Sequence, residues 1–292
     1  MPTTNARVAG STATSLRLVC AEVWGGNRPV HAPVELPGIR GILYSHPCDG
    51  GRGGDVHYLS VCGSGLLSRM CLADVVGHGE TVASISAEMH EHLRRSMNRM
   101  DQRKVLVDLN QRLESLGLKA MTTAAAMTFY PPTRLLSVSY AGHPPGWLRR
   151  GSTGKWERLS IEVRPGKGIV NAPMAIDPGV EYTQRSLRLD VGDQLLMITD
   201  GVLEAPNQSG RQFGEEGVEA SLGRMNGHGP DGIADGLLRE LRRHCGHNAL
   251  NHDDVTFLAV EIVPGPAGPP IWHAIKNRLF RPRGSSGHFS AH

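Results

Sequence analysis

Residues 46–79 read HPCDGGRGGDVHYLSVCGSGLLSRMCLADVVGHG. Residues 46–54 are too dense in glycine for a helix or a regular strand, so they form a loop. Residues 56–62 (VHYLSVC) and 66–73 (LLSRMCLA) are apolar, β-prone runs, and Gly63-Ser64-Gly65 supplies the turn between them. The stretch therefore reads as a hairpin. Asp55 lies between the glycine loop and the first strand, and Asp74 closes the second strand before Val75-Val76-Gly77-His78-Gly79.

Downstream of the hairpin the apolar period changes. Val82, Ile85, Met89, Leu93 and Met97 recur every three or four residues and predict a long helix with one apolar stripe. Asp101 can cap a second helix with the stripe Val105, Leu109, Leu113 and Leu116, closed by Gly117. Both helices can cover one face of a sheet. Strands are expected at 121–130 and 134–141 around Pro131-Pro132-Thr133, and as a short hairpin at 146–149 and 155–160. Residues 161–179 read as a loop. Strands follow at 180–189 and 194–199, then a helix at 231–245 and a last strand at 255–262.

Upstream, residues 16–23 (SLRLVCAE) predict a first strand. Strands adjacent in sequence are mostly joined by short turns, which implies antiparallel pairing rather than βαβ crossovers. The expected class is α+β, with two sheets and helices outside. Residues 1–15 read as a disordered lead, 16–263 as one domain, and 264–292 as a flexible tail.

Composition narrows the function. The chain has 292 residues, 39% of them hydrophobic, and a net charge of only +3. This balance, with 5% aromatic residues, argues against nucleic acid as a partner. The cysteines are Cys20, Cys48, Cys62, Cys71 and Cys245, an odd number without a C-x-x-C pair. A disulfide framework or zinc site is not expected, and a reducing cytosol is. Cys62 and Cys71 sit in apolar runs and read as core residues. No stretch approaches 18 consecutive apolar residues, and Met1 to Ser15 lacks the apolar core of a signal peptide. A cytoplasmic protein without integral membrane contact is the expectation.

Four acids recur beside glycines at strand ends: Asp55, Asp74, Asp200 (before Gly201) and Asp253, with Asp254 next to the last. Any one of them alone reads as a cap or turn residue. Together, at one edge of a sheet sandwich, they suit hard divalent cations that prefer oxygen ligands and keep waters. Two such ions can share a water-derived nucleophile for in-line attack on phosphorus.

The order of motifs resembles the protein phosphatase type 2C (PPM) superfamily, in its bacterial SpoIIE/RsbU-like branch. The matching residues are Gly53-Gly54-Asp55; Asp74-Val75-Val76-Gly77-His78-Gly79; and Ala141-Gly142-His143-Pro144-Pro145. Gly192-Asp193 with Ile198-Thr199-Asp200-Gly201-Val202-Leu203-Glu204-Ala205, and Asp253-Asp254-Val255-Thr256, complete the series. The resemblance spans residues 45–262. It implies an αββα sandwich with a centre of two Mn²⁺ or Mg²⁺ ions, and hydrolysis by a metal-activated water without a phosphoenzyme. It places Asp55, Asp74, Asp200 and Asp253 on the carboxylate ligands, with Asp55 bridging both ions, and the carbonyl of Val75 on the backbone ligand. Asp254 falls on a supporting neighbour. Two features depart from the family pattern. His57-Tyr58 stands where many relatives carry an aromatic residue and a second Asp, and Ala172-Pro173-Met174-Ala175 replaces P-L-G.

Other polar residues have quieter readings. His78 could supply a proton to the leaving oxygen, but it sits four residues after Asp74 where the family acid sits two after, so a structural role at the helix start is preferred. His143 reads as loop geometry, Asp193 as a turn residue, Arg94 and Arg95 as a solvated face. Glu204 can orient ligands or cap a chain reversal. The segment 271–281 (IWHAIKNRLFR) mixes basic and apolar residues; disorder is the default, a membrane surface or partner the alternative.

The function implied is a serine/threonine phosphatase acting on a regulatory phosphoprotein, a STAS-type anti-anti-sigma factor by resemblance. The rival readings are a pseudophosphatase that sequesters a phosphoprotein and a hydrolase of small phosphate esters. No sensor, receiver or kinase domain is read before residue 40, so control is expected from a regulatory protein or self-association acting on the helix at 80–100.

Overall fold

A computed structural model describes residues 15–48, 51–77, 80–163, 168–246 and 250–266. The chain runs β1 (Leu16–Arg17), β2 (Glu22–Gly26), β3 (Val30–Leu36), β4 (Ile39–His46), β5 (Asp55–Val61) and β6 (Ser68–Val75), then α1 (Glu80–Arg95) and α2 (Gln102–Glu114). It continues with β7 (Thr122–Tyr130), β8 (Leu135–Ala141), β9 (Trp147–Arg149), β10 (Trp156–Arg158), β11 (Arg185–Arg188) and β12 (Gln194–Ile198). A single turn, α3 (Asp200–Leu203), precedes α4 (Gly214–Arg224), α5 (Pro230–Cys245) and β13 (Val255–Ile262).

The strands make two sheets. One has seven strands in the order β1-β3-β4-β13-β12-β9-β10, the other six in the order β11-β8-β7-β6-β5-β2. Apart from the parallel β1–β3 pair, strand pairings in both sheets are antiparallel. Three apolar layers hold the sandwich together. Leu59, Val61, Met70, Leu72, Met127, Leu195, Met197, Leu258 and Val260 pack between the sheets. Val56, Tyr58, Cys71, Ala73 and Val75 face α1 and α2 on the outside of the six-stranded sheet. Leu196, Ile198, Phe257 and Ala259 face α4 and α5 outside the other. The expected α+β class and αββα layering are both present.

Side chains alternate across a strand, so these lists give each strand's parity. Odd positions of β5 (Leu59, Val61) look into the gap between sheets, and even ones (Val56, Tyr58) look at the helices. On β6 the even positions face the gap, on β12 the odd ones, and on β13 the even ones. Both faces of these strands are covered, which is why β5 is buried along its whole length.

The helices form for local reasons. The α1 stripe Val82, Ile85, Met89 and Leu93 is fully buried, and Asp101 caps α2 by accepting from the N–H of Arg103 at 3.1 Å. Arg69, buried on β6, donates through Nε to Gln102 Oε1 (3.0 Å) and through Nη2 to the carbonyls of Ser96 (3.0 Å) and Arg99 (2.7 Å). The turn between the two helices therefore hangs from β6, the strand that carries Asp74. In α5, Pro230 sits in the first turn and Gly246 ends the helix at φ 76°, the left-handed conformation glycine adopts without strain.

Several local expectations are corrected. Residues 16–23 are not one strand: Ala21 turns at φ 51°, and the chain leaves β1 in one sheet for β2 in the other. Met97 and Leu116 fall beyond the ends of α1 and α2, and Leu116 is exposed. The strand expected at 180–189 is reduced to Arg185–Arg188. Three elements had no clear sequence signal. β3 carries Pro33, β4 follows directly, and α4 (GEEGVEASLGR) holds three glycines that lower its helix propensity. The lead through residue 14 and the segment 271–281 lie outside the described residues.

Candidate active site

Asp55 opens β5 and Asp74 lies on β6, and the two are direct partners in the antiparallel register. By parity both side chains look into the gap between the sheets. Asp55 is almost fully buried, while Asp74 is partly open. The chain just before Asp55 must be glycine here. A Cβ on Gly54 would stand 2.7 Å from the Val75 carbonyl oxygen and 3.2 Å from Asp74 Oδ1, and a Cβ on Gly53 would overlap the Asp254 carboxylate. The glycine loop thus lets the backbone approach a cluster of oxygen atoms closely. Val75 keeps the two strands together at this point, its N–H donating to the Gly54 carbonyl at 3.1 Å.

Asp200 and Asp253 come from the other sheet. Asp200 begins α3 directly after β12, with Thr199 as the capping residue. Asp253 precedes β13, is exposed, and its Oδ1 accepts the N–H of Asp254 at 2.7 Å. Gly201 allows these two chain ends to meet: a Cβ there would overlap the Asp254 carbonyl. Asp254 is buried and fully engaged. It accepts from the N–H of Cys48 (2.8 Å), of Asp55 (3.2 Å) and of Gly54.

The acids act on one another. Burial pushes the Asp55 carboxyl well above the usual carboxylate range; Thr199 and Thr256 hydroxyls oppose this, and Asp74 and Asp254 add to it. Burial and then Asp200, Asp253, Asp254 and Glu204 push Asp74 up to about 7. Asp200 is raised by burial and by Asp254, although N–H bonds at the start of α3 work the other way. Asp253 is raised by burial, then by Asp200 and Asp254. The edge therefore concentrates negative charge from two sheets, and Asp74 responds to four other acids.

Among the described residues, no three His, Cys, Asp or Glu side chains close on a single point as a complete metal cage. The donor set nevertheless fits hard divalent cations. It consists of carboxylate and carbonyl oxygens, its charges repel without a counter-ion, and Gly54 leaves open the space where Val75 O and Asp74 Oδ1 converge. Mg²⁺ and Mn²⁺ sites commonly use few protein ligands and keep waters.

Among the other singled-out residues, Asp193, His143, Arg94 and Arg95 have partners away from the cluster. His78 lies outside the described residues. Asp193 is a turn residue, accepting from Gly151 N–H and Asp190 N–H and pairing with Arg150 at 2.9 Å. His143 is buried with Nδ1 on the Pro144 carbonyl at 3.1 Å, so it shapes its loop. Arg94 and Arg95 pair with Glu91 on an exposed face. Glu204 is exposed at the end of α3, near enough to Asp74 to raise it. Sequence reading missed Thr199, whose hydroxyl donates to Asp55 Oδ2 at 2.7 Å. Its only signal was its place in the Thr199-Asp200-Gly201 motif.

A two-sheet sandwich flanked by pairs of helices matches the fold of PP2C-type phosphatases among solved structures. The chain belongs to the SpoIIE family: the family model described as Stage II sporulation protein E matches residues 67–263. Among solved structures, RsbX in complex with magnesium is 16% identical over 80% of this chain and 100% of that one, with a TM-score of 0.57. The RsbU and RsbW domains of a Mycobacterium tuberculosis protein are 24% identical over 81% of this chain and 64% of that one, at 0.61. The PP2C phosphatase domain of SpoIIE from Bacillus subtilis, with a fragment of its regulatory domain, is 19% identical over 76% and 61%, at 0.60. At these identities the likeness is one of fold. Curated proteins yield no match. Among the described residues no helix is long and apolar enough to cross a membrane.

Proposed function

We propose that residues 16–263 form a metal-dependent protein serine/threonine phosphatase domain, with Asp55, Asp74, Asp200, Asp253 and the Val75 carbonyl holding two divalent cations, Mn²⁺ or Mg²⁺. The observation that carries this reading is the position of Asp74. It is paired directly with Asp55 and is pushed up most strongly, after burial, by Asp200, Asp253, Asp254 and Glu204. Gathering these acids at one sheet edge costs stability, which a bound cation would offset. When bound, divalent cations supply an activated water and neutralise charge developing on the phosphoryl group. The chain's own part is positional. Asp55 presents a carboxylate fixed by Thr199, Asp74 faces it from the next strand, and Asp200 and Asp253 approach from the opposite sheet.

The substrate proposed is a phosphoserine or phosphothreonine on a regulatory protein, with a STAS-domain anti-anti-sigma factor the first candidate, in the cytoplasm. The family membership supports it, together with the exposure of Asp253 at the rim. A regulatory protein or a second copy of the chain acting on α1 is the proposed route of control, because α1 begins five residues after Val75. The test is hydrolysis of p-nitrophenyl phosphate and of phosphorylated STAS proteins from the same genome, in chelator and after Mn²⁺ or Mg²⁺ is restored. Turnover should vanish and return. Undiminished hydrolysis in excess chelator would overturn the metal mechanism.

A further inference from the structure

The proposed ligands belong to two different sheets. Asp55 and Asp74 sit on β5 and β6, Asp200 and Asp253 at the ends of β12 and β13. Packed sheets meet through side chains, with no backbone ladder between them, so their spacing at an edge depends on the side chains that meet there. At this edge, among the described residues, Thr199 and Asp254 make polar contacts across the gap, and Thr256 also acts on Asp55. Thr199 follows β12 at a gap-facing parity and donates to Asp55 Oδ2 at 2.7 Å, a shorter contact than its 3.3 Å approach to the Thr256 carbonyl. The Thr256 N–H donates to the same hydroxyl at 3.1 Å, and Asp55 is the nearer of the two acceptors for the hydroxyl hydrogen. Asp254, at the gap-facing parity of β13, accepts the N–H groups of Asp55 and Gly54 with one oxygen and of Cys48 with the other. Thr199 is 0% exposed, Asp55 3% and Asp254 7%.

We propose that Thr199 and Asp254 are positioning residues that latch the two sheets together at Asp55, Thr199 aiming its carboxylate and Asp254 fixing its backbone, and so set the spacing between the two halves of the cation site. The proposal rests on the metal reading above. A hydroxyl that merely satisfied a buried strand end would be content with the Thr256 backbone. Its shorter bond goes across the gap to the one acid that Asp254 also secures.

The test uses the full chain and Mn²⁺ alone, with binding measured by titration calorimetry. Thr199→Val removes the hydroxyl at nearly constant shape, and Thr199→Ser restores it. Thr199→Val should weaken Mn²⁺ binding by about tenfold or more, the usual cost of losing a group that orients a metal ligand. Thr199→Ser should bind within about threefold of the wild type. Phosphatase activity of Thr199→Val should recover at saturating Mn²⁺, which a folding defect would not do. Asp254→Asn, which retains one acceptor oxygen, is the second variant and should also lose about tenfold. Wild-type affinity in Thr199→Val and Asp254→Asn would overturn the latch. A wild-type chain that binds no Mn²⁺ would overturn the metal reading itself, and the latch with it.

Discussion

Asp55 and Asp74 face each other directly across the β5–β6 pair, with both carboxylates on the side that looks toward the opposite sheet. Like charges directly opposite one another on paired strands are destabilising by a few tenths to about 1 kcal/mol. Here Asp200, Asp253, Asp254 and Glu204 add to the repulsion at Asp74. Asp74→Asn relieves it. In chelator, this variant should melt about 1–3 °C above the wild type, as expected for a domain of this size, while losing nearly all phosphatase turnover. Thermal denaturation alongside an activity assay checks both halves. A lower melting temperature would mean that Asp74 serves the fold rather than the site.

Cations should stabilise the folded chain through the same cluster. A ligand that binds only the folded state at a hundredfold above its Kd contributes about 2.7 kcal/mol. For this size that is roughly 5–10 °C in Tm. Mn²⁺ should produce a shift of this order in the wild type and little in Asp74→Asn. Equal shifts in the two proteins would place the bound ion elsewhere.

Gly54 is a sharper steric test. A methyl group there meets the Val75 carbonyl at 2.7 Å and Asp74 Oδ1 at 3.2 Å. Gly54→Ala should lose Mn²⁺ affinity and turnover while circular dichroism stays close to that of the wild type. Gly51→Ala, where a Cβ meets nothing within 4 Å, is the matched control and should keep both. If both variants bind Mn²⁺ normally, the glycine loop does not shape the site.

His143 gives the fold a defined pH dependence. Burial lowers its pKa from 6.5 to about 4, against a small opposing effect of the Pro144 carbonyl. The folded chain holds this ring neutral, whereas the unfolded chain takes up a proton below about 6.5. Its contribution is therefore complete above pH 6.5 and lost progressively as pH falls to about 4. The loss is on the order of 3 kcal/mol. His57 and His92, also lowered to about 4 by burial, act in the same direction, so His143→Gln should reduce but not abolish the loss of stability measured by denaturant unfolding between pH 7 and 4. A variant profile parallel to the wild type would show that His143 protonates without penalty.

Local signals were enough for much of the fold. Gly63-Ser64-Gly65 marked the hairpin, the stripe from Val82 to Leu93 marked α1, and Asp101 marked the start of α2. Each depends on residues within a few positions of one another, and such signals survive in a linear reading. β3, β4 and α4 lacked them. β3 contains a proline and α4 has three glycines, which weaken the local signal, and β4 takes one of its two partners from far away in sequence, where Val255–Ile262 pairs with Ile39–His46.

The order of Asp55, Asp74, Asp200 and Asp253 among their glycines was legible from sequence alone, because strand ends and tight turns impose residue types that can be read one after another. Tertiary structure decided which of the two neighbouring acids is buried: Asp254 turns inward and Asp253 stays exposed. β13 is apolar on both faces, Val255, Phe257 and Ala259 on one and Leu258, Val260 and Ile262 on the other, so alternation could not say which acid turned inward. It likewise decided that Thr199, the residue before an acid, would bond to Asp55 across the sandwich, 144 positions away in sequence. The spacing of two sheets is a property of how their side chains pack together, and no single segment carries it.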